Sequence, residues 1–311
     1  MVSVAILFPG QGSQFVGMGT DLFDLHPELL GERADEILGW SLRDMCLNGP
    51  EDVLTRTEHA QPALFALSYA LFKTLEPELS SPPAGAAGHS LGEYTALAGM
   101  GAFGFETGLG LVARRGRAMA AAADLEPSGM AALIGVDPDQ AESVTATRRA
   151  SGGRLQVANL NAPGQIVVAG GHDDIEWLES NGRELGVRRV ITLKVAGAFH
   201  SSFMDPAAAE LADVLATVEI GSPQVPVWSN TTAQPHRPGE IADMLVRQVV
   251  SPVRFAESLA NMAAAGIDTF VHVGPGDATA GMARKTVPGA TVVAVSGPED
   301  TSKVGEVIGT V

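Results

Sequence analysis

Hydrophobic and polar positions along this chain follow two alternating rhythms. Val2-Ser-Val-Ala-Ile-Leu-Phe8 is a short apolar run rich in β-branched residues, closed by Pro9-Gly-Gln-Gly12. A run of that length with that punctuation predicts a buried strand. Apolar residues then recur at helical spacing over 32–38, 50–55 and 61–75, up to a Pro/Ser-rich loop at 80–83. A strand is expected at 84–87 despite the poor strand propensity of Ala and Gly, with helices at 91–100 and 105–123.

The middle of the chain has its own order. Strands expected at 130–136, 155–160, 165–169 and 187–195 alternate with helices at 139–149 and 174–185. The sequence β-α-β-β-α-β is that of a ferredoxin-like unit. Beyond it, strands at 225–228, 268–273 and 291–295 alternate with helices at 206–216, 241–250 and 255–265. Such alternation builds a largely parallel sheet covered on both faces. The expected fold class is α/β. Residues 1–126 and 196–311 would form a large α/β-hydrolase-like catalytic domain with a mostly parallel sheet, and 127–195 an inserted small ferredoxin-like domain.

Composition agrees with a globular chain of about two domains. The sequence of 311 residues is 45% hydrophobic and 18% charged, which excludes a disordered chain. Its net charge of −16 argues against general nucleic-acid binding and against docking to anionic membranes. A local basic patch is still compatible with that total. The single cysteine, Cys46, excludes an internal disulfide and a multi-cysteine metal site. No apolar run reaches the length of about 18 residues needed to span a bilayer. The start lacks the basic leader of a signal peptide, so a cytoplasmic location is expected.

Gly88-His-Ser-Leu-Gly92 fits the G-x-S-x-G pattern between an expected strand and an expected helix. That context exposes a serine hydroxyl on a strained turn, with small flanking residues that let strand and helix approach. The N–H of Leu91 and the helix N-terminus would favour a developing oxyanion. Ser90 needs a base. Of seven histidines, His272 reads as core, His26 as a turn, and His172 and His236 as loop residues. His89 leaves the turn in another direction. His200 follows a strand and precedes a helix, so it either reaches a neighbouring loop as the base or is a satisfied structural histidine.

Phe8-Pro-Gly-Gln-Gly-Ser-Gln14, Gly88-His-Ser-Leu-Gly-Glu93 and Gly197-Ala-Phe-His200 together resemble the malonyl-CoA:acyl-carrier-protein transacylase family, which includes polyketide synthase acyltransferases. His59-Ala-Gln-Pro62, Arg115-Gly116, Asn159-Leu-Asn-Ala-Pro-Gly-Gln165, Ser251-Pro-Val-Arg-Phe255 and Val273-Gly-Pro-Gly276 follow in the family's order over nearly the whole chain. The resemblance implies a catalytic dyad of Ser90 and His200, with the histidine oriented by the backbone carbonyl of Ser251. It implies oxyanion donors at Gln11 and Leu91, and Arg115 as the fork that binds the substrate carboxylate. Phe199 matches the malonyl-selective type, filling the space of a 2-methyl group. Gln61, Asn159 and Gln165 match pocket positions, where each either contacts substrate or satisfies buried backbone groups.

The reaction so implied is ping-pong transfer of a malonyl group from malonyl-CoA to the phosphopantetheine thiol of an acyl carrier protein. It would serve fatty acid or, in trans, polyketide biosynthesis, with no metal or other cofactor. The length is that expected of a free-standing transferase, and a monomer is expected. An acidic carrier would need a local basic patch. Arg148, Arg149 and Arg154, then Arg183, Arg188 and Arg189, then Arg284 and Lys285 are the candidates, or else ordinary solvated charge. Three alternatives use the same residues differently: transfer of another acyl group between carriers, hydrolysis of acyl thioesters, and non-catalytic carrier binding.

Overall fold

The computed structural model describes residues 2–308; Met1 and 309–311, which the expected domain limits include, lie outside the described residues. Strand β1 (Val4–Phe8) leads into five short helices, α1 (Leu22–Leu25), α2 (Pro27–Leu30), α3 (Glu32–Leu38), α4 (Leu42–Asn48) and α5 (Glu51–Leu54). The long helix α6 (Thr57–Leu75) follows, then β2 (Gly85–Gly88), α7 (Gly92–Gly99) and α8 (Phe105–Leu125). Next come β3 (Ser128–Ile134), α9 (Pro138–Ala150), β4 (Gln156–Ala162), β5 (Gln165–Gly171), α10 (His172–Asn181) and β6 (Arg189–Thr192). The chain closes with α11 (Asp205–Leu215), β7 (Val227–Trp228), α12 (Ile241–Gln248), α13 (Phe255–Ala264), β8 (Thr269–Val273), α14 (Ala278–Thr286), β9 (Thr291–Val295) and α15 (Ser302–Ile308).

Two sheets result. The first has the order β7-β2-β1-β8-β9, with every neighbouring pair parallel. The period of two along its strands divides two cores. Ile6, Phe8, Ala86 and Val271 face the larger cluster, while Ala5, Leu7, Ala87 and Phe270 face a second cluster with Phe255 and Leu259 of α13. The second sheet has the order β4-β5-β3-β6 and is antiparallel throughout, which is the ferredoxin-like arrangement. Ala131, Leu133, Ile166 and Val168 pack under α9 and α10. Met130, Ala132, Val167 and Ala169 join the larger cluster from the opposite face. One continuous core therefore links the two sheets.

The weakest strand by propensity, Gly85-Ala-Ala-Gly88, lies inside the parallel sheet between β7 and β1. Small residues are needed there: a side chain on Gly85 would meet Trp228 at 2.4 Å. A second tie joins the sheets beside the site. Leu160 N–H donates to the Val253 carbonyl at 2.8 Å and Val253 N–H to the Ala158 carbonyl at 2.9 Å, so β4 is hydrogen-bonded to the segment after α12. Several expected elements are shorter than their patterns, and the strand expected at 225–228 covers only Val227–Trp228. The helix expected to 185 stops at Asn181, where turns at Gly182 and Gly186 (φ +83°) take over, and β6 covers only four of the nine residues expected at 187–195. No helix among the described residues is long and apolar enough to cross a membrane.

Candidate active site

Segments that follow three parallel strands, β1, β2 and β8, line one cavity of about 260 Å³. This is where ligands are expected on an open α/β sheet. From β1 comes the loop carrying Gln11, from β2 the turn carrying Ser90, and after β8 the start of α14 with Thr279, while Asn230, after β7, bonds the Ser90 turn. Val167, Asn159 and Asn161 close it from the small sheet.

Ser90 adopts φ +51°, the left-handed region that a side chain normally avoids. The turn is tight because strand and helix nearly touch: a Cβ on Gly88 would lie 1.9 Å from the Gly92 carbonyl. Asn230 pins the turn from below. Ser90 N–H donates to Asn230 Oδ1 at 2.7 Å, and Asn230 Nδ2 donates to the Gly88 carbonyl at 2.7 Å. Strain at such a turn persists only when its surroundings over-determine it, and these two bonds do so.

His200 also has positive φ, +58°, and its Nε2 lies 2.8 Å from Ser90 Oγ. Its Nδ1 faces the main-chain carbonyl of Gln248 at 2.8 Å. A carbonyl only accepts, so Nδ1 carries the proton and Nε2 is free to accept from Ser90. Burial, then the nearby Arg115 charge, push the His200 pKa down to about 3, with the Gln248 and Ser251 backbones opposing. The imidazole is thus a neutral base at physiological pH. The Gln248 carbonyl, which the sequence did not point to, shares the imidazole with the Ser251 backbone that it did. Gln248 is the last residue of α12, where helical carbonyls lack intrahelical partners.

Arg115 is fully buried on α8. Its helix packs closely on α6, where a Cβ on Gly116 would meet the Thr57 carbonyl at 2.8 Å. Nη1 donates to Gln61 Oε1 at 2.7 Å, and Nη2 donates to Gln248 Oε1 at 2.8 Å and to Ser90 Oγ at 3.0 Å. Nε has no hydrogen-bond partner, and the guanidinium carbon lies 5.5 Å from the Tyr94 ring centroid. Burial lowers the arginine pKa, while Tyr94 and Glu93 act in the opposite sense. The three side chains that accept from Arg115 are all uncharged, which leaves a buried cation beside Ser90 without a direct anionic partner.

The remaining expected residues divide. Gln11, Gln61, Asn159 and Phe199 line the cavity, and Gln11 Nε2 donates to Thr57 Oγ1 at 3.2 Å. Gln61 is engaged with Arg115. Leu91 is the residue before the first turn of α7, where helix N–H groups lack intrahelical partners. Gln165 is not brought to the cavity. It starts β5, two residues and about 7 Å along the strand from the lining Val167. There its Oε1 accepts from Lys285 Nζ at 3.4 Å. Of the three basic groups, the first is neutralised: Arg148 pairs with Asp174, Arg149 with Glu142 and Arg154 with Glu126.

Four polar residues of the site had no role in the sequence reading. Asn230, Gln248, Glu93 and His236 are buried around the turn. Glu93 stands in the Gly88–Glu93 motif, but nothing in its spacing names a partner. His236, expected in a loop, has its Nε2 donating to Glu93 Oε1 at 2.6 Å. His89 does leave the turn, with Nε2 2.7 Å from Asn161 Oδ1.

A serine hydroxyl, a histidine whose Nε2 is free to accept from it and a buried cation thus meet at one point of the cavity. The family described as acyl transferase domain matches residues 6–307. The chain belongs to this acyl transferase family. It is 40% identical over 302 residues to the malonyl CoA-acyl carrier protein transacylase of Bacillus subtilis (strain 168), covering 96% of this chain and 95% of that one. The solved malonyl CoA-acyl carrier protein transacylase of Coxiella burnetii superposes with a TM-score of 0.93 at 32% identity, over 98% of this chain and 97% of that one. A malonyl-transacylase solved in complex with its type II polyketide synthase acyl-carrier protein gives a TM-score of 0.92 at 33% identity, over 98% and 99% of the two chains.

Proposed function

We propose that this acyltransferase moves a malonyl group from malonyl-CoA to the phosphopantetheine thiol of an acyl carrier protein, for fatty acid or polyketide synthesis. The observation that carries the reading is the double contact on Ser90 Oγ: His200 Nε2 at 2.8 Å on one side and Arg115 Nη2 at 3.0 Å on the other. The base activates the hydroxyl, and the cation stands where the distal carboxylate of a malonyl ester folds back.

In the proposed sequence His200 Nε2 takes the Ser90 proton as Oγ attacks the thioester carbonyl. The N–H groups of Gln11 and Leu91 receive the oxyanion. The intermediate collapses, the CoA sulfur leaves with the proton from His200, and a malonyl ester remains on Ser90. The carrier thiol then gives its proton to His200 and attacks that ester, and Ser90 regains its hydrogen as the new thioester departs. Arg115 holds the carboxylate throughout, and Phe199 narrows the space beside the α-carbon. Every step is an acyl or proton transfer among these groups, so no metal or redox cofactor is invoked.

The reading includes a large catalytic domain (1–126 and 196–311) carrying the small one (127–195), a monomer, and a cytoplasmic setting. With the first basic group neutralised, Arg183, Arg188 and Arg189 or Arg284 and Lys285 are the better candidates to dock an acidic carrier. The test is intact mass after brief exposure to malonyl-CoA. A malonyl adduct on the wild-type protein that is absent in Ser90→Ala supports the reading. An adduct that persists in Ser90→Ala, or none with any acyl-CoA, overturns it.

A further inference from the structure

Burying a guanidinium demands compensation, yet a carboxylate placed directly against Arg115 would occupy the donors that the substrate must use. The molecule resolves this conflict with an amide in between. Gln248 Oε1 accepts from Arg115 Nη2 at 2.8 Å, and Gln248 Nε2 donates to Glu93 Oε2 at 2.6 Å and to the Ser90 carbonyl at 2.9 Å. Glu93 itself is fully buried, 0% exposed. Its other contacts are also donors: Asn230 N–H to Oε2 at 3.0 Å and His236 Nε2 to Oε1 at 2.6 Å.

The donor inventory then fixes the amide. The Glu93 carboxylate only accepts, as does the Ser90 carbonyl, so the NH₂ of Gln248 must face both. Its oxygen is left to face Arg115, whose fork only donates. A flipped amide would set NH₂ against guanidinium and oxygen against carboxylate, two repulsive contacts at once. The main chain of the same residue orients His200. Gln248 therefore touches the nucleophile's turn, the base and the cation, and Glu93 determines which way its side chain points.

We propose that Glu93, held by His236, is a positioning residue that locks the Gln248 amide between itself and Arg115, supplying distant counter-charge while keeping against the guanidinium only neutral acceptors that a substrate carboxylate can displace or join. This rests on the reading of Arg115 as the carboxylate fork. The pair touches no substrate. Its effect is on which acyl groups are accepted, because a neutral acyl group makes no use of Arg115.

The experiment measures single-turnover acylation of Ser90 by quenched intact mass, with malonyl-CoA and acetyl-CoA in parallel, so that the readout is their ratio. Glu93→Gln loses acceptor capacity toward three donors. Its malonyl acylation is expected to fall about 10–100-fold, one lost charge-assisted contact at about 1.36 kcal/mol per tenfold, with acetyl acylation changed less than about threefold. His236→Leu behaves the same way, and His236→Gln, which restores a donor to Glu93, returns the ratio to near the wild-type value. Should the single variants fail to fold, the exchange Glu93→Gln with Gln248→Glu keeps the buried charge constant and moves the carboxylate onto Arg115. It is expected to lower the malonyl-to-acetyl ratio at least as far as Glu93→Gln does. Equal losses with both donors, or an unchanged ratio in the exchange variant, overturn the proposal. The controls separate it from the underlying reading: absence of a wild-type malonyl adduct, or an unchanged ratio in Arg115→Ala, refutes the fork itself, whereas normal controls with indifferent Glu93 variants refute only the positioning role.

Discussion

Replacing Arg115 with Ala removes a buried cation whose Nη2 is shared between Ser90 Oγ and Gln248, and whose Nε has no partner. In the acyl-enzyme a malonyl carboxylate would accept two charge-assisted bonds from this fork. At about 1.5–3 kcal/mol each, they sum to about 3–6 kcal/mol. At about 1.36 kcal/mol per tenfold, malonyl acylation should fall by about 10²–10⁴-fold. Acetyl acylation carries no carboxylate and should change far less, so the variant loses its preference for the anionic group. Global stability is a poor readout here. The substitution orphans Gln61 Oε1 and Gln248 Oε1, but it also relieves the burial that lowers the arginine pKa. Rapid-quench intact mass with each donor separates the two rates. A parallel fall with malonyl and acetyl donors would refute the fork and leave Arg115 as a donor to Ser90 Oγ alone.

Other consequences follow from the same contacts. His200, pushed down to about 3, stays neutral where an ordinary histidine at about 6.5 protonates, so kcat/KM for acylation should stay level from about pH 7 to about pH 5. Since the Arg115 charge is part of the depression, Arg115→Ala should move the acid limb upward; a limb near 6.5 in the wild type would contradict this. The folded state also binds fewer protons at His200 than the unfolded chain between about 3 and 6.5, so its contribution to stability is full above that window and is lost as pH falls through it. Denaturant midpoints of His200→Gln should accordingly lose less between pH 6.5 and 4.5 than those of the wild type. Asn230→Ala strands the Ser90 N–H and the Gly88 carbonyl, and at about 1–3 kcal/mol each should cost about 2–6 kcal/mol in urea unfolding along with most acylation. Phe199→Ser opens space beside the α-carbon and should raise the methylmalonyl-to-malonyl ratio by about 10–100-fold in competition assays.

What the sequence disclosed about this site depended on how local each constraint is. Ser90 was readable because its own neighbours enforce the turn: Gly88 and Gly92 must be small for strand and helix to meet. His200, 110 positions away, was ambiguous from spacing and became specific only through the shared order of motifs. The residues that place both groups were silent. Asn230 acts because β7 pairs with β2, and Gln248 because α12 ends beside His200, facts that no spacing encodes. Gln248, whose carbonyl joins the Ser251 backbone at His200, was hidden for the same reason, since it sits at a helix end outside the quoted motif. The fold behaved alike. Buried alternating strands such as β1 and β8 were legible, whereas α14 and the four-residue α1 and α2 lacked enough periodicity to be expected. β6 is shorter than its pattern because its apolar run continues past the last ladder pair, Ala131 with Thr192, and Leu193 and Val195 line the cavity.

The most direct test of the account is the fate of the acyl group once it sits on Ser90. Malonyl-enzyme made with labelled malonyl-CoA would be freed of CoA and divided between buffer and a holo acyl carrier protein. The account predicts slow loss in buffer and rapid passage of label to the carrier's phosphopantetheine thiol, with the enzyme returned to its unmodified mass. Rapid release of free malonate that the carrier neither accelerates nor intercepts would contradict it and make the protein a thioester hydrolase.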